Sequence, residues 1–119
     1  MLSRFNENAQ KILLMMKKEM QELKHPYVSS EHLLLAILHC DDLNITKFLN
    51  DCGLNYELYK KEIVSVLGIG KNSSEWFLYT PLLKRIIENT IVNNDGDTLI
   101  SVDDLFVSLL EEGDGAANR

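Results

Sequence analysis

The chain has 119 residues, 45% of them hydrophobic and 25% charged, with a formal net charge of −6; this is the make-up of one ordinary globular domain rather than of a disordered or fibrous chain. No window approaches about 18 uninterrupted apolar residues, and the first residues lack the basic-then-apolar order of a signal peptide, so no membrane partner is expected and a cytoplasmic location is. Residues 1–67 carry eight Lys/Arg against nine Asp/Glu and residues 68–119 four against nine, an acidic second half that argues against nucleic acid, whose affinity rests on cations facing phosphates.

In chain order, Ala9, Ile12, Leu13, Met16, Met20 and Leu23 follow the rhythm of one helix face, with Lys11, Lys17, Lys18, Glu19 and Glu22 mostly opposite. Asn6 suits the N-cap, and His25-Pro26 ends the helix because a residue before proline avoids the helical region. Ser29, three residues before His32, caps a second helix running to about Cys40, with Leu33, Leu34, Ile37 and Leu38 as its buried stripe. A third spans about Asn44 to Cys52 and stops at Gly53. Tyr56 to Leu67 forms a fourth, closed by Gly68. Thr80 as N-cap and Pro81 as first residue start a fifth, and Ser101 with Asp104 opens a sixth as an acidic capping box. No stretch sustains period-two alternation, so the fold class is all-α.

The chain also repeats itself. Phe5-Asn6 leading to Ser29-Ser30-Glu31-His32-Leu33-Leu34 is echoed by Tyr79-Thr80 leading to Ser101-Val102-Asp103-Asp104-Leu105-Phe106, with Phe5 matched to Tyr79 at an offset of 74 residues and Glu31 to Asp103 at 72. The lost pair falls between helices, which leaves helix phase intact. The expected organisation is a first repeat over 4–68, a linker over 69–78, and a second repeat over 79–119 cut after about its second helix. That truncation predicts that Leu105, Leu109 and Leu110 lack some packing partners, and that the exposed face favours self-association.

Several motifs invite chemistry. Gly68-Ile69-Gly70-Lys71 suggests a phosphate loop, but such a loop ending there needs glycine at position 65 and a hydroxyl at 72, where the chain has Ser65 and Asn72. Asn93, Asp95, Asp97, Ser101 and Asp104 occupy positions 1, 3, 5, 9 and 12 of a calcium loop, yet Thr98 stands where the sharp turn demands glycine and Asp104 where a bidentate Glu belongs. A small calcium-responsive helical protein is therefore a rival reading. His25, His32 and His39 recur every seven residues; they lack the four-ligand spacing of zinc and read as surface or half-buried histidines. Cys40 and Cys52 read as reduced packing residues, Met15, Met16 and Met20 as core, and Trp76-Phe77 as an aromatic pin across the linker. No catalytic triad order is present, and neither a metal nor a cofactor is expected.

The ordered combination of Arg4-Phe5-Asn6-Glu7-Asn8-Ala9-Gln10-Lys11-Ile12-Leu13, Ser30-Glu31-His32-Leu33-Leu34-Leu35-Ala36-Ile37-Leu38, Gly53-Leu54 and Tyr79-Thr80-Pro81 resembles the Clp N-terminal domain, most closely that of the ClpC-type Hsp100 AAA+ unfoldases. The resemblance implies two tandem four-helix repeats forming a non-catalytic domain that recruits adaptor proteins and protein substrates to an AAA+ ring and, through it, to the ClpP protease. ATP and Mg would belong only to the ring modules. It also implies two equivalent pockets for phosphorylated arginine, with Glu31 and Asp103 receiving the guanidinium and Asn6 and Thr80 at the family's hydroxyl positions. Asn6 replaces the usual Thr and Asp103-Asp104 the usual Glu-His, so the Asp103 pocket is expected to be the weaker. A stand-alone Clp-N-like protein that competes for adaptors, and carboxylates that merely complement helix dipoles, remain open alternatives.

Overall fold

The computed structural model describes residues 2–72, 76–94, 96 and 98–112. Among them a 3-10 turn at Leu2–Arg4 precedes α1 (Glu7–Leu23), α2 (Ser30–His39), α3 (Asn44–Asp51), α4 (Tyr56–Leu67), α5 (Pro81–Asn93) and α6 (Val102–Glu112), the all-α class expected. The caps explain the boundaries. Asn6, Asn55 and Thr80 side chains each accept the N–H three residues on, which satisfies a donor the helix leaves open. The Ser101 N–H donates to the Asp104 carboxylate at 2.9 Å while the Asp104 N–H donates back to the Ser101 hydroxyl at 3.2 Å, the reciprocal box anticipated there. Lys24 closes α1 in the left-handed region at φ 57°.

The centre of the molecule is α2. Every residue from Ser30 to Leu38 is buried, not only the stripe of Leu33, Leu34, Ile37 and Leu38, because α1, α3, α4 and α6 all pack on it. A helix apolar on all sides is stable only under such cover. Glu19 departs from expectation too: it belongs to the buried face of α1, 4% exposed. The Tyr56 hydroxyl of α4 donates to both its carboxylate oxygens, and the His39 ring lies 3.9 Å away. Met16 and Met20 are core as expected.

Two isolated parallel bridges tie the halves, Phe5 with Ile100 and Val28 with Tyr79. They are interchanged by the offsets seen in the sequence. Asn6 N–H donates to Ile100 O at 2.8 Å and Ile100 N–H to Arg4 O at 2.8 Å; correspondingly, Thr80 N–H donates to Val28 O at 2.9 Å and Val28 N–H to Leu78 O at 2.8 Å. Each exchange holds the start of one helix (α1 or α5) beside the strand-like lead into another (α6 or α2).

Leu105 and Leu109 are buried rather than short of partners, since α6 packs on α5, α1 and α2; only Leu110 of the three is exposed. The segment after α4 is tied by Gly70, whose N–H donates to Leu23 O at 2.9 Å. An added Cβ there would lie 1.8 Å from the Lys24 carbonyl oxygen, so close backbone approach demands this glycine. Trp76, read as a pin, is 73% exposed; Phe77 lies under the Lys17 ammonium, 5.4 Å from its ring centre. No helix among the described residues is long and apolar enough to cross a membrane.

Candidate functional site

Glu31 and Thr80 line one cavity of about 390 Å³, together with Ser29, Ser30, His25 and His32. The bridge from Thr80 to Val28 accounts for this, because it sets the first turn of α5 against the first turn of α2. Glu31 is buried at 9% exposure, and the Ser30 hydroxyl donates to its Oε2 at 3.3 Å. Thr80 Oγ1 accepts from Leu83 N–H at 3.2 Å. Two helix N-termini thus meet a single carboxylate, an arrangement able to hold forked donors and an anionic group at once.

The wall behind Glu31 is a hydrogen-bonded chain through two imidazoles. Ser29 N–H donates to His32 Nδ1 at 2.9 Å, so the proton of the neutral ring sits on Nε2, which donates to His25 Nδ1 at 2.9 Å. His25 then carries its own proton on Nε2 and donates to Gly68 O at 2.8 Å. Both rings are buried, at 1% and 7% exposure, which corrects the expectation of surface or half-buried histidines for this pair; His39 alone is exposed. Burial first, then the neighbouring His25, holds His32 down at about 4, with Glu31 opposing. A neutral His32 suits the chain, since a proton on its Nδ1 would face the Ser29 N–H.

The counterpart residues are arranged differently. Asn6 sits beside the lead into α6 through its bond to Ile100, and its side chain caps α1 by accepting from Ala9 N–H at 2.8 Å. Asp103 lies in the first turn of α6 and is exposed. The role of His32 falls to Asp104, whose carboxylate accepts from the Ser101 N–H and hydroxyl.

Other motifs resolve into structure. Gly68, at φ 74°, closes α4, and Gly70 serves the contact with Lys24 described above. Of the calcium-loop residues, Asp95 and Asp97 lie outside the described residues, and Ser101 and Asp104 bond to each other. No cluster of three or more metal-ligating side chains occurs among the described residues. Both cysteines are free; Cys40 is buried with its thiol directed at the Met15 sulfur, 3.4 Å away, whereas Cys52, expected to pack, is exposed at the end of α3.

Two features escaped the sequence reading. Glu19 continues the spacing of Ile12, Met16 and Leu23 on α1, which is the signal that could have placed it inside. The second is an apolar groove of about 360 Å³ between α1 and α5, bordered by Phe5 with Tyr79, Leu13 with Ile87, and Lys17 with Ile91. Each of these pairs is separated by the 74-residue offset. Lys84 adds a second cation and Glu88 a carboxylate at its border.

Comparison with known proteins places these observations. A model of the Clp repeat (R) N-terminal domain family matches residues 4–119. The whole chain is 32% identical to the negative regulator of genetic competence ClpC/MecB of Bacillus subtilis and 29% identical to the chaperone protein ClpB of Oceanobacillus iheyensis. It spans about 15% of the length of each. Among solved structures, the N-terminal domain of ClpD from Arabidopsis thaliana matches with a TM-score of 0.76 at 20% identity, over 98% of this chain and 81% of that one. The ClpV N-domain, solved in complex with a VipB peptide, matches with a TM-score of 0.71 at 18% identity, over 92% and 69%. These structural likenesses show a shared fold.

Proposed function

The chain belongs to the Clp N-terminal repeat family, and from that premise we propose that it recruits protein substrates and adaptors to a Clp unfoldase, receiving a phosphorylated arginine side chain between Glu31 and Thr80. The observation that carries this reading is the shared cavity: residues 49 positions apart in the sequence line one recess, with the buried Glu31 carboxylate as acceptor for a guanidinium and the N-termini of α2 and α5 as donors for a phosphoryl group. Asn6 and Asp103 form the corresponding second site, weaker because its carboxylate is exposed and screened by water. The apolar groove between α1 and α5, with Lys17, Lys84 and Glu88 on its border, suits an amphipathic segment of an adaptor. ATP hydrolysis, unfolding and delivery to ClpP fall to ring modules outside the matched stretch, consistent with a domain that binds without turnover.

Calorimetric titration with phosphoarginine, against arginine and phosphoserine at fixed salt, tests the reading. Selective binding of phosphoarginine is expected, with Glu31→Gln weakening it by about tenfold or more through loss of a charge-assisted bond. Equal affinity in Glu31→Gln and the unaltered chain would remove Glu31 from the site.

A further inference from the structure

One face of α4 stays open beside the Glu31 cavity. Leu58, Val66 and Leu67 are exposed over 55%, 61% and 51% of their surfaces, and with Leu54 and Ile63 they border a groove of about 300 Å³. Leu67 lines both this groove and the Glu31 cavity, so the two recesses adjoin across a single side chain. The ionisable groups in the groove are the Glu62 carboxylate and the Tyr59 phenol; Lys60 and Lys61 border a separate recess with Glu57 and Val64. Among the described residues neither the groove nor the cavity is lined by Lys or Arg.

Tyr59 adds an independent mark. It is 7% exposed, and its buried hydroxyl has no hydrogen-bond partner among the described residues. Burial, followed by the Glu31 carboxylate, pushes the phenol well above its ordinary range, so the group keeps its proton and remains a donor. A buried donor without an acceptor weakens the fold, and such a group standing between an apolar groove and a carboxylate suits an acceptor brought by a ligand.

We propose that the α4 groove is the second half of the ligand site: it takes an apolar side chain next to the arginine whose guanidinium meets Glu31, while a main-chain carbonyl of the same peptide accepts from the Tyr59 hydroxyl. This rests on the Glu31 reading above and narrows it from any marked arginine to one flanked by an apolar residue. Glu31 and Glu62 disfavour an acidic flank, because a peptide carboxylate there would face like charge without a compensating cation.

Three short peptides test this, identical except for Leu, Ser or Asp beside a phosphoarginine, titrated into the unaltered chain, into Leu58→Ser/Val66→Ser and into Tyr59→Phe. The Leu peptide is expected to bind about five- to tenfold tighter than the Ser peptide, the size of a partly buried leucine, and the Asp peptide weakest. The double variant changes only exposed positions and is expected to abolish the Leu preference, bringing the Leu peptide down to the affinity of the Ser peptide. Tyr59→Phe is expected to raise the melting temperature and to weaken all three peptides severalfold. Equal binding of the Leu and Ser peptides to the unaltered chain overturns the groove and leaves the Glu31 reading intact; failure of every peptide to bind overturns both.

Discussion

Helices α2 and α6 carry matched residues in two different settings. Leu33 and Leu105, like Ile37 and Leu109, are buried in both helices, whereas Leu35 and Leu38 are at most 3% exposed and their counterparts Val107 and Leu110 are 52% and 53% exposed. The difference comes from the elements around them: α3 and α4 pack on α2, while the neighbours of α6 are α5, α1 and α2. Burial is therefore a property of the company a helix keeps as much as of its own pattern. The same divergence marks the sites at their N-termini. His32 and Asp104 perform one capping task at 2.9 Å from the N–H of Ser29 and Ser101. Imidazole has a second nitrogen and extends the bond to His25 and Gly68; a carboxylate has no proton to pass on.

The largest effect that could break this comparison lies in the core. Leu35→Ala is expected to cost about 2–5 kcal/mol by opening a cavity in a fully covered position, read by urea denaturation. Equal losses at Leu35 and Val107 would show that the two faces are equally covered in solution.

Acid sharpens the comparison at the caps. His32 binds a proton at about 4 in the folded chain against 6.5 in the unfolded one, so the unfolded state takes up protons first as pH falls. The stability this contributes is complete above about pH 6.5 and is lost from there down to about pH 4, a fall of about 2–3 kcal/mol between about pH 7.5 and 4.5. Denaturation curves at the two pH values should show it, with a flatter dependence in His32→Gln; an unchanged slope in that variant would place the titration elsewhere.

Smaller effects follow at α6. Asp104→Ala is expected to cost about 1 kcal/mol, the usual value of a cap, and to leave the Glu31 site unaffected. Val107→Ala is expected to change stability by no more than about 0.5 kcal/mol, as for an exposed position. Both are read from thermal unfolding midpoints, and a larger loss at Val107 would mean that another surface covers it.

Much of the helical order was legible because its signals are local. Asn6, Ser29, Thr80-Pro81 and Ser101 with Asp104 announce helix starts, and Gly53 and Gly68 announce ends, since each acts on backbone groups within a few residues of itself. The repeat was legible for a similar reason, as matching residues recur at fixed offsets. Glu19, by contrast, reads as a solvent-facing charge until Tyr56, 37 residues on, supplies the hydroxyl that makes its burial tolerable. His25 and His32 read as surface or half-buried residues until α4 ends with Gly68 O facing the ring of His25.

At the candidate site the division is equally physical. The residue types at positions 6, 31, 80 and 103, and their places at helix N-termini, are set by the sequence, because a cap and the turn after it are short-range arrangements. That Glu31 shares a cavity with Thr80, that its exposed counterpart Asp103 does not enjoy the same burial, and that Leu67 joins this cavity to the α4 groove were decided by tertiary packing. Those outcomes depend on which helices pack against each N-terminus, and contacts between distant segments leave no periodic trace in the chain that makes them.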